Sequence, residues 1–307
     1  MYDIIIVGGG AGGLTAGIYA GRGGLKTLII EKAFTGGQAA TTYEVDNYPG
    51  FNETISGPDL MMKMEAQAKK FNAEIIYEDV TDIEVDEKIK KVKTNNSVYE
   101  AKALILAMGA NPRELGLSKE RQLRGAGVSY CATCDGAFYR DKIVAVVGGG
   151  DTAVEDALFL SKFCPKVYLI HRRDQLRAVK VLQEAAFQNE KIEIIWDTTV
   201  EEILGEDKVE GIRVKNKKTN EVKDLAVEGL FIAVGVVPNS DIVKGKIEIN
   251  NNGYIITDEG MLTNKFGVYA VGDVREKTLR QIVTAAADGA IAAYAAERYI
   301  SENKWEE

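Results

Sequence analysis

Cysteine is scarce in this chain: three residues among 307, accompanied by a single histidine. That is too few for the disulfide framework of a secreted protein. It restricts metal chemistry as well, because a structural zinc normally takes four Cys or His ligands. The whole supply is Cys131, Cys134, Cys164 and His171, and the last two flank a stretch that reads as a strand, which makes a poor zinc knuckle. No metal site is expected. Excess positive charge is also missing. A net charge of −8 argues against nucleic acid or an anionic membrane as the main partner. No apolar run approaches the length needed to cross a bilayer. Met1-Tyr2-Asp3 leads straight into an apolar strand with no basic leader or cleavage site, so the expectation is no signal peptide and a cytoplasmic location. What remains is ordinary globular material, 46% apolar and 27% charged, in a chain long enough for two domains with a core in each.

Residues Asp3 to Val7 form a short apolar run of the kind that makes a strand buried on both faces. It feeds Gly8-Gly9-Gly10-Ala11-Gly12-Gly13, a G-x-G-x-x-G that opens a helical pattern through Leu14, Ala16, Ile18 and Tyr19. A second strand, Thr27 to Ile30, ends at Glu31, roughly 20 residues beyond the first glycine. This is the context a dinucleotide site requires. Glycines make the tight turn and admit a pyrophosphate to the helix N-terminus, and the acid accepts hydrogen bonds from ribose hydroxyls.

Then come Gly36-Gly37-Gln38 and a turn-rich passage with Asn47, Tyr48, Pro49 and Gly50. An amphipathic helix is expected over 57–72, its Met61 and Met64 reading as core rather than as a cofactor box. A β-meander is expected over 73–100. A buried strand from Ala103 to Ala107 ends at Met108-Gly109-Ala110 and is stopped by Pro112, a plausible domain crossing.

The opening pattern then recurs. Lys142 to Val147 reads as a strand, Gly148-Gly149-Gly150-Asp151-Thr152-Ala153 is a G-x-G-x-x-A, a helix follows, and a strand runs from Val167 to Ile170. Where the first unit ends in Glu31, this one ends in His171-Arg172-Arg173, with Arg177 one turn on. An acid at that place repels a ribose 2′-phosphate, whereas arginines pair with it, so the second site should prefer NADPH to NADH. The alternative for the arginines is a solvated basic corner, and His171 reads as an orienting or stacking residue rather than a base. A strand is expected from Phe231 to Val237, with 244–252 as the return crossing. Tyr269-Ala270-Val271-Gly272-Asp273 closes a last strand, and a helix rich in small residues follows Gln281. The polar tail from Ser301 to Glu307 is expected to fray.

Between the two glycine fingerprints lies Cys131-Ala132-Thr133-Cys134-Asp135-Gly136. Cysteines spaced C-x-x-C can close and reopen a small ring, and a low-pKa thiolate there exchanges with other disulfides. With so little to complete a metal site, a redox pair is the favoured reading. Asp135 adjoins the pair as a candidate proton donor and acceptor; the competing role is a turn residue before Gly136.

Taken together these motifs resemble the low-molecular-weight thioredoxin reductases of bacteria and archaea, over essentially the whole chain. CATCDG at 131–136 and HRRDQLRA at 171–178 are the specific ones. GGGAGG at 8–13, GGQ at 36–38, GGGDTA at 148–153, YAVGD at 269–273 and RQIVTAAADG at 280–289 accompany them. The resemblance implies an α/β fold of two Rossmann-like dinucleotide-binding domains (three-layer ββα). The NADPH domain, 113–244, would be inserted into an FAD domain made of 1–112 and 245–307. It implies FAD on Gly8, Gly10, Ala11, Gly13, Glu31, Gly37, Gln38, Asn47, Gly109, Asp273, Arg280 and Gln281. It implies NADPH on Gly148, Gly150, Asp151, Thr152, Ala153, His171, Arg172, Arg173 and Arg177. Electrons would pass from NADPH through FAD to the Cys131–Cys134 disulfide, with Cys134 on the flavin side and Cys131 attacking thioredoxin. A homodimer, and rotation of one domain against the other, are implied in the same way. Met108 stands where the family usually has threonine, and Ala137 where an aromatic is common. The rival readings are a related flavin reductase fed by ferredoxin or reduced flavin, or serving another disulfide acceptor, and a flavin-binding redox sensor.

Overall fold

The first strand, Tyr2–Val7, alternates its side chains between two cores. Ile4 and Ile6 point to one that is filled by Leu14, Leu60, Met61, Met64, Ala292 and Ala293 from three helices. Ile5 and Val7 point to another, with Ile83, Val92, Leu104, Val268 and Val274. A strand that is apolar on both faces must be covered on both, which is why the run reads as continuous rather than alternating. The computed structural model describes residues 1–42 and 44–305.

The chain forms two compact units: Met1–Asn111 with Val237–Glu307, and Pro112–Val236. In the first unit, strands Glu74–Tyr77, Thr27–Glu31, Tyr2–Val7 and Val98–Leu106 lie side by side and parallel. Along its other edge the long fourth strand serves two more partners. Its first half pairs antiparallel with Lys90–Thr94, which pairs in turn with Val80–Glu84, and its last three residues pair parallel with Val268–Ala270. The meander therefore begins at Val80. The expectation of 73–100 fails for Glu74–Tyr77, which joins the parallel sheet because Ile75 and Ile76 each face one of its two cores. Helices Ala11–Arg22, Gly57–Lys70 and Ile282–Glu302 cover one face of the sheet. The second helix stops at Lys70, two residues short of the expected end, as Asn72 turns into the left-handed region.

The first and last helices approach backbone to backbone. A Cβ on Gly289 would lie 2.2 Å from the Gly12 carbonyl oxygen, so small residues at this crossing are a steric requirement. At the C-terminus Ser301 and Glu302 remain helical, and the Trp305 indole donates to the Ile300 carbonyl. That part of the expected fraying tail is ordered; residues 306–307 lie outside the described ones.

The second unit repeats the build. Strands Ile192–Ile195, Lys166–Ile170, Ile143–Gly148, Gly229–Ala233 and Val128–Ser129 form a parallel sheet in that order. Val144 and Val146 face the helix Asp151–Leu160, whereas Ala145 and Val147 face an antiparallel sheet of Thr198–Leu204, Gly211–Asn216 and Val222–Leu225. The strand expected over 231–237 is two strands, Gly229–Ala233 and Val236–Pro238, parted where Gly235 takes a positive φ. Both units are thus three-layer ββα Rossmann-like folds, with the second interrupting the first in sequence. Among the described residues no helix is long and apolar enough to cross a membrane.

Candidate active site

In the first unit the glycine loop is shaped by its neighbours. A Cβ on Gly13 would sit 1.9 Å from the Gly8 carbonyl oxygen, so the helix enters as close to the strand as glycine permits, while a Cβ on Gly10 would meet nothing within 4 Å. Open space over the second glycine and steric closure at the third are the two conditions for seating a pyrophosphate on a helix N-terminus. Ala11 is buried at the first helical position. Glu31 accepts from the Gly9 and Lys32 backbone amides, both at 2.7 Å, which fixes its carboxylate beside the loop. Gly36 donates to the Gly9 carbonyl, and Gly37 packs against Gly10, so the GGQ turn lies along the same loop.

The remaining expected residues of this unit fall into three linked groups. Asn47 donates to Gln281 at 3.0 Å, joining positions far apart in sequence. Gln38 donates to Asn111, Asn111 to Asn239, and Asn239 to the Met108 carbonyl, while the Asn239 amide donates to the Gly109 carbonyl. Sequence reasoning missed Asn111 and Asn239; isolated asparagines carry no periodicity that would reveal an amide chain. Asp273 and Arg280 are the most telling. Asp273 Oδ1 and Arg280 Nε are buried and have no hydrogen-bond partner among the described residues. Burial pushes the Asp273 carboxyl above its usual range, against the pull of Lys277 and Arg280. Buried orphan groups are uncommon in folded proteins and call for a reason, which a bound ligand would supply. The donors, acceptors and open backbone fit a flavin dinucleotide.

In the second unit the loop Gly148–Ala153 leads into the helix at Asp151, with Ala153 fully buried and Thr152 exposed. A Cβ on Gly149 would lie 2.3 Å from the His171 ring, so the imidazole packs directly against the loop. Burial holds the His171 pKa down, and its Nε2 has no partner. The basic segment is docked by two bonds. The Arg177 amide donates to the Gly149 carbonyl at 2.6 Å, and the Asp151 carboxylate accepts from the Val179 amide at 2.7 Å. Arg172, Arg173 and Arg177 are exposed, and no carboxylate among the described residues pairs with them. Two acids beside the segment, Asp174 within it and Asp197 bonded to its backbone, are engaged elsewhere, since Lys218 pairs with both. A second open glycine, Gly150, and three uncommitted guanidiniums fit a phosphorylated nucleotide.

Cys131 and Cys134 are joined, with an S–S separation of 2.11 Å and Cα atoms 5.3 Å apart. Ala132–Asp135 is a single helical turn. The Thr133 hydroxyl donates to Cys131 Sγ at 3.4 Å. Ser129, almost wholly buried, accepts from the Cys131 amide at 3.1 Å and donates to Asp135 Oδ2 at 2.6 Å. Burial raises the Asp135 pKa; the Ser129 hydroxyl and the charge of Arg124 work the other way. Tyr130, immediately before the pair, donates to Glu120, whose carboxylate also accepts from the amides of Leu115, Gly116 and Leu117. Neither Ser129 nor Glu120 was singled out in the sequence, where a lone serine and a lone glutamate are unremarkable. Asp156 was missed too; burial, with Glu155 adding to it, pushes its carboxyl up to about 7. Cys164 stands apart, its thiol donating to the Tyr139 carbonyl and pushed by burial up to about 11. Among the described residues no group of three or more His, Cys, Asp or Glu is arranged to hold a metal. Met108 packs at the edge of the first unit's core, and Ala137 is exposed.

Two dinucleotide-type loops and a closed dithiol pair beside a half-buried carboxyl define a pyridine-nucleotide disulfide oxidoreductase. The family model for pyridine nucleotide-disulphide oxidoreductases matches residues 2–289. A thioredoxin reductase of Peptoclostridium acidaminophilum is 48% identical over 99% of this chain and 98% of its own length. That of Bacillus subtilis is 46% identical over 98% and 96%. A solved thioredoxin reductase from Streptococcus pyogenes superposes with a TM-score of 0.95 at 49% identity, covering 99% of both chains. The chain belongs to the pyridine nucleotide-disulphide oxidoreductase family and, within it, to the low-molecular-weight thioredoxin reductases.

Proposed function

We propose that the chain is an NADPH-dependent thioredoxin-disulfide reductase, with FAD on the first unit, NADPH on the second, and Cys131–Cys134 acting on thioredoxin. The observation that carries the reading is the closed Cys131–Cys134 pair in the same unit as a glycine loop with unpaired arginines at its edge. Bound there, nicotinamide supplies a hydride and flavin passes two electrons to a disulfide.

Gly8, Gly10, Ala11 and Gly13 seat the FAD pyrophosphate and Glu31 its ribose. Gly37, Gln38, Asn47, Gly109, Asp273, Arg280 and Gln281 hold the remainder, a role supported by the unpartnered Asp273 and Arg280 atoms. Gly148, Gly150, Thr152 and Ala153 seat the NADPH pyrophosphate. Asp151 holds the basic segment against the loop, His171 packs beneath it, and Arg172, Arg173 and Arg177 take the 2′-phosphate.

In the dithiol state, the Cys131 thiolate attacks one sulfur of thioredoxin's disulfide, and the other thioredoxin sulfur leaves as a thiolate. Cys134 then attacks Cys131 Sγ in the mixed disulfide, which releases the second thioredoxin thiolate and closes the Cys131–Cys134 bond. Each thiolate released takes a proton, and Asp135, half-buried and hydrogen-bonded through Ser129 to the Cys131 backbone, is placed to give and recover it. A cytoplasmic homodimer completes the reading; equilibrium sedimentation measures the latter.

The test is anaerobic mixing of the oxidised, FAD-loaded protein with NADPH and, separately, with NADH. The expected outcome is rapid bleaching and two new thiols with NADPH, and a slow reaction with NADH. No reduction by either nicotinamide would overturn the donor and direct attention to ferredoxin.

Asp135→Asn should slow thioredoxin turnover by about 10²- to 10⁴-fold, the ordinary worth of a positioned acid–base group. Its folding effect has the opposite sense. A carboxyl whose pKa is raised in the folded state makes folding less favourable as pH climbs from the unfolded value through the folded one. The amide removes that loss, so the melting temperature at pH 7 should not fall. A variant that turns over normally would leave Asp135 a turn residue.

A further inference from the structure

One buried charge has no part in the reading above. Asp288, 6% exposed, lies in the second turn of the helix Ile282–Glu302. Its Oδ2 accepts from the Gly272 backbone amide at 2.9 Å and from Lys277 Nζ at 2.7 Å. The Arg275 guanidinium stands 3.5 Å from both of its oxygens and also donates to Thr257 through Nε at 2.8 Å. The Lys277 and Arg275 side chains are themselves largely buried, at 7% and 14% exposure.

All three donors come from 272–277, the segment that carries Asp273 and leads to Arg280 and Gln281. One carboxylate therefore gathers the whole connection between the last strand and the last helix. Gly272 is in the left-handed region, and the turn it begins is stabilised by the amide bond to Asp288. A buried ion cluster is a weak way to add stability, since apolar packing often serves as well, but it does fix one arrangement of the chain. The arrangement fixed here is the one that leaves Asp273 Oδ1 and Arg280 Nε buried and unpartnered.

We infer that Asp288 is the positioning residue of the flavin site: it holds Gly272–Lys277 so that Asp273 and Arg280 are set before the cofactor arrives. The inference rests on the reading that the first unit binds FAD. Asp288 touches no ligand in this account; it acts through Gly272 and Lys277, and pre-organisation of this kind appears as cofactor affinity.

The experiment titrates FAD onto apoprotein by flavin fluorescence, for wild type, Asp288→Asn and Lys277→Gln, alongside NADP⁺ binding and tryptic digestion of the apo forms. Asparagine keeps an acceptor for Gly272 and discards the charge that holds Lys277. Each variant should raise the FAD Kd about tenfold or more, as breaking a buried charge pair does, leave NADP⁺ binding unchanged, and open a tryptic cut at Arg275, with a second at Lys277 in Asp288→Asn. The unchanged NADP⁺ site separates a local effect from unfolding, and Lys277→Gln stands in should Asp288→Asn fail to fold. FAD affinity and digestion within twofold of wild type in both variants would overturn the inference. A wild-type apoprotein that bound no FAD would instead overturn the reading of the first unit, while the digestion would still judge whether Asp288 anchors the segment.

Discussion

Cys134→Ser should abolish reduction of thioredoxin and, once reduced and mixed with oxidised thioredoxin, trap it as a covalent adduct. With Cys134 gone, the Cys131 thiolate can still attack thioredoxin's disulfide, but the sulfur that would resolve the mixed disulfide is missing. The adduct should run at the summed mass of the two proteins and disappear on adding a reductant. Cys131→Ser should be equally inactive and form no such adduct. Thiol counts after unfolding give an independent check. Oxidised wild type should show one thiol, from Cys164, and the reduced protein three. Cys164 does not confuse the count in the folded protein, because burial keeps it protonated and unreactive. An adduct on Cys131→Ser and none on Cys134→Ser would reverse the two sulfurs' assignments.

The double substitution Arg173→Ala, Arg177→Ala should lower kcat/KM for NADPH about hundredfold and change that for NADH by less than about threefold. Hydrogen bonds to charged groups contribute about 1.5–3 kcal/mol, and exposure places these at the low end, near tenfold for each arginine. The selectivity follows from what the arginines would touch, a phosphate that NADH does not have. Equal losses with both nucleotides would move the arginines to the shared pyrophosphate. No loss with either would make them a solvated basic corner. The structure favours a large effect, since Lys218 already occupies Asp174 and Asp197 and leaves the guanidiniums uncommitted.

Much of this was legible in the sequence because it depended on local rules. The strand–glycine–helix units show in a few consecutive residues, as close approach within each loop forces Gly13 against Gly8 and Gly148 against Ala153. The contrast between Glu31 and Arg172-Arg173 needs only the residue type at the end of a strand. Tertiary pairing was not legible. Glu74–Tyr77 carries a strand pattern that suits a meander or a parallel edge equally, and only the position of Thr27–Glu31 decides between them. The split at Gly235 depends on a backbone turn within an apolar run that looks continuous. At the site, the supporting network was invisible for the same reason. Asn111 and Asn239 meet across more than a hundred residues, while Ser129, Glu120 and Asp288 act through loop and turn geometry that no periodicity announces.

The close crossing of the first and last helices also bears on biosynthesis. Gly12 and Gly289 meet from opposite sides of the interrupting unit, so the first glycine loop is made before that unit and completed after it. The strand Val268–Ala270 and its helix leave the ribosome after the whole of the interrupting unit. Contacts of such long range form late and leave apolar surface uncovered in the interval. The helix Ala11–Arg22 must therefore wait with its glycine-lined face bare while Pro112–Val236, whose strands and helices are contiguous in sequence, can close upon itself. A chain stopped before Val268 should therefore leave one face of the first unit's sheet uncovered and bind a hydrophobic dye more strongly than the whole chain does.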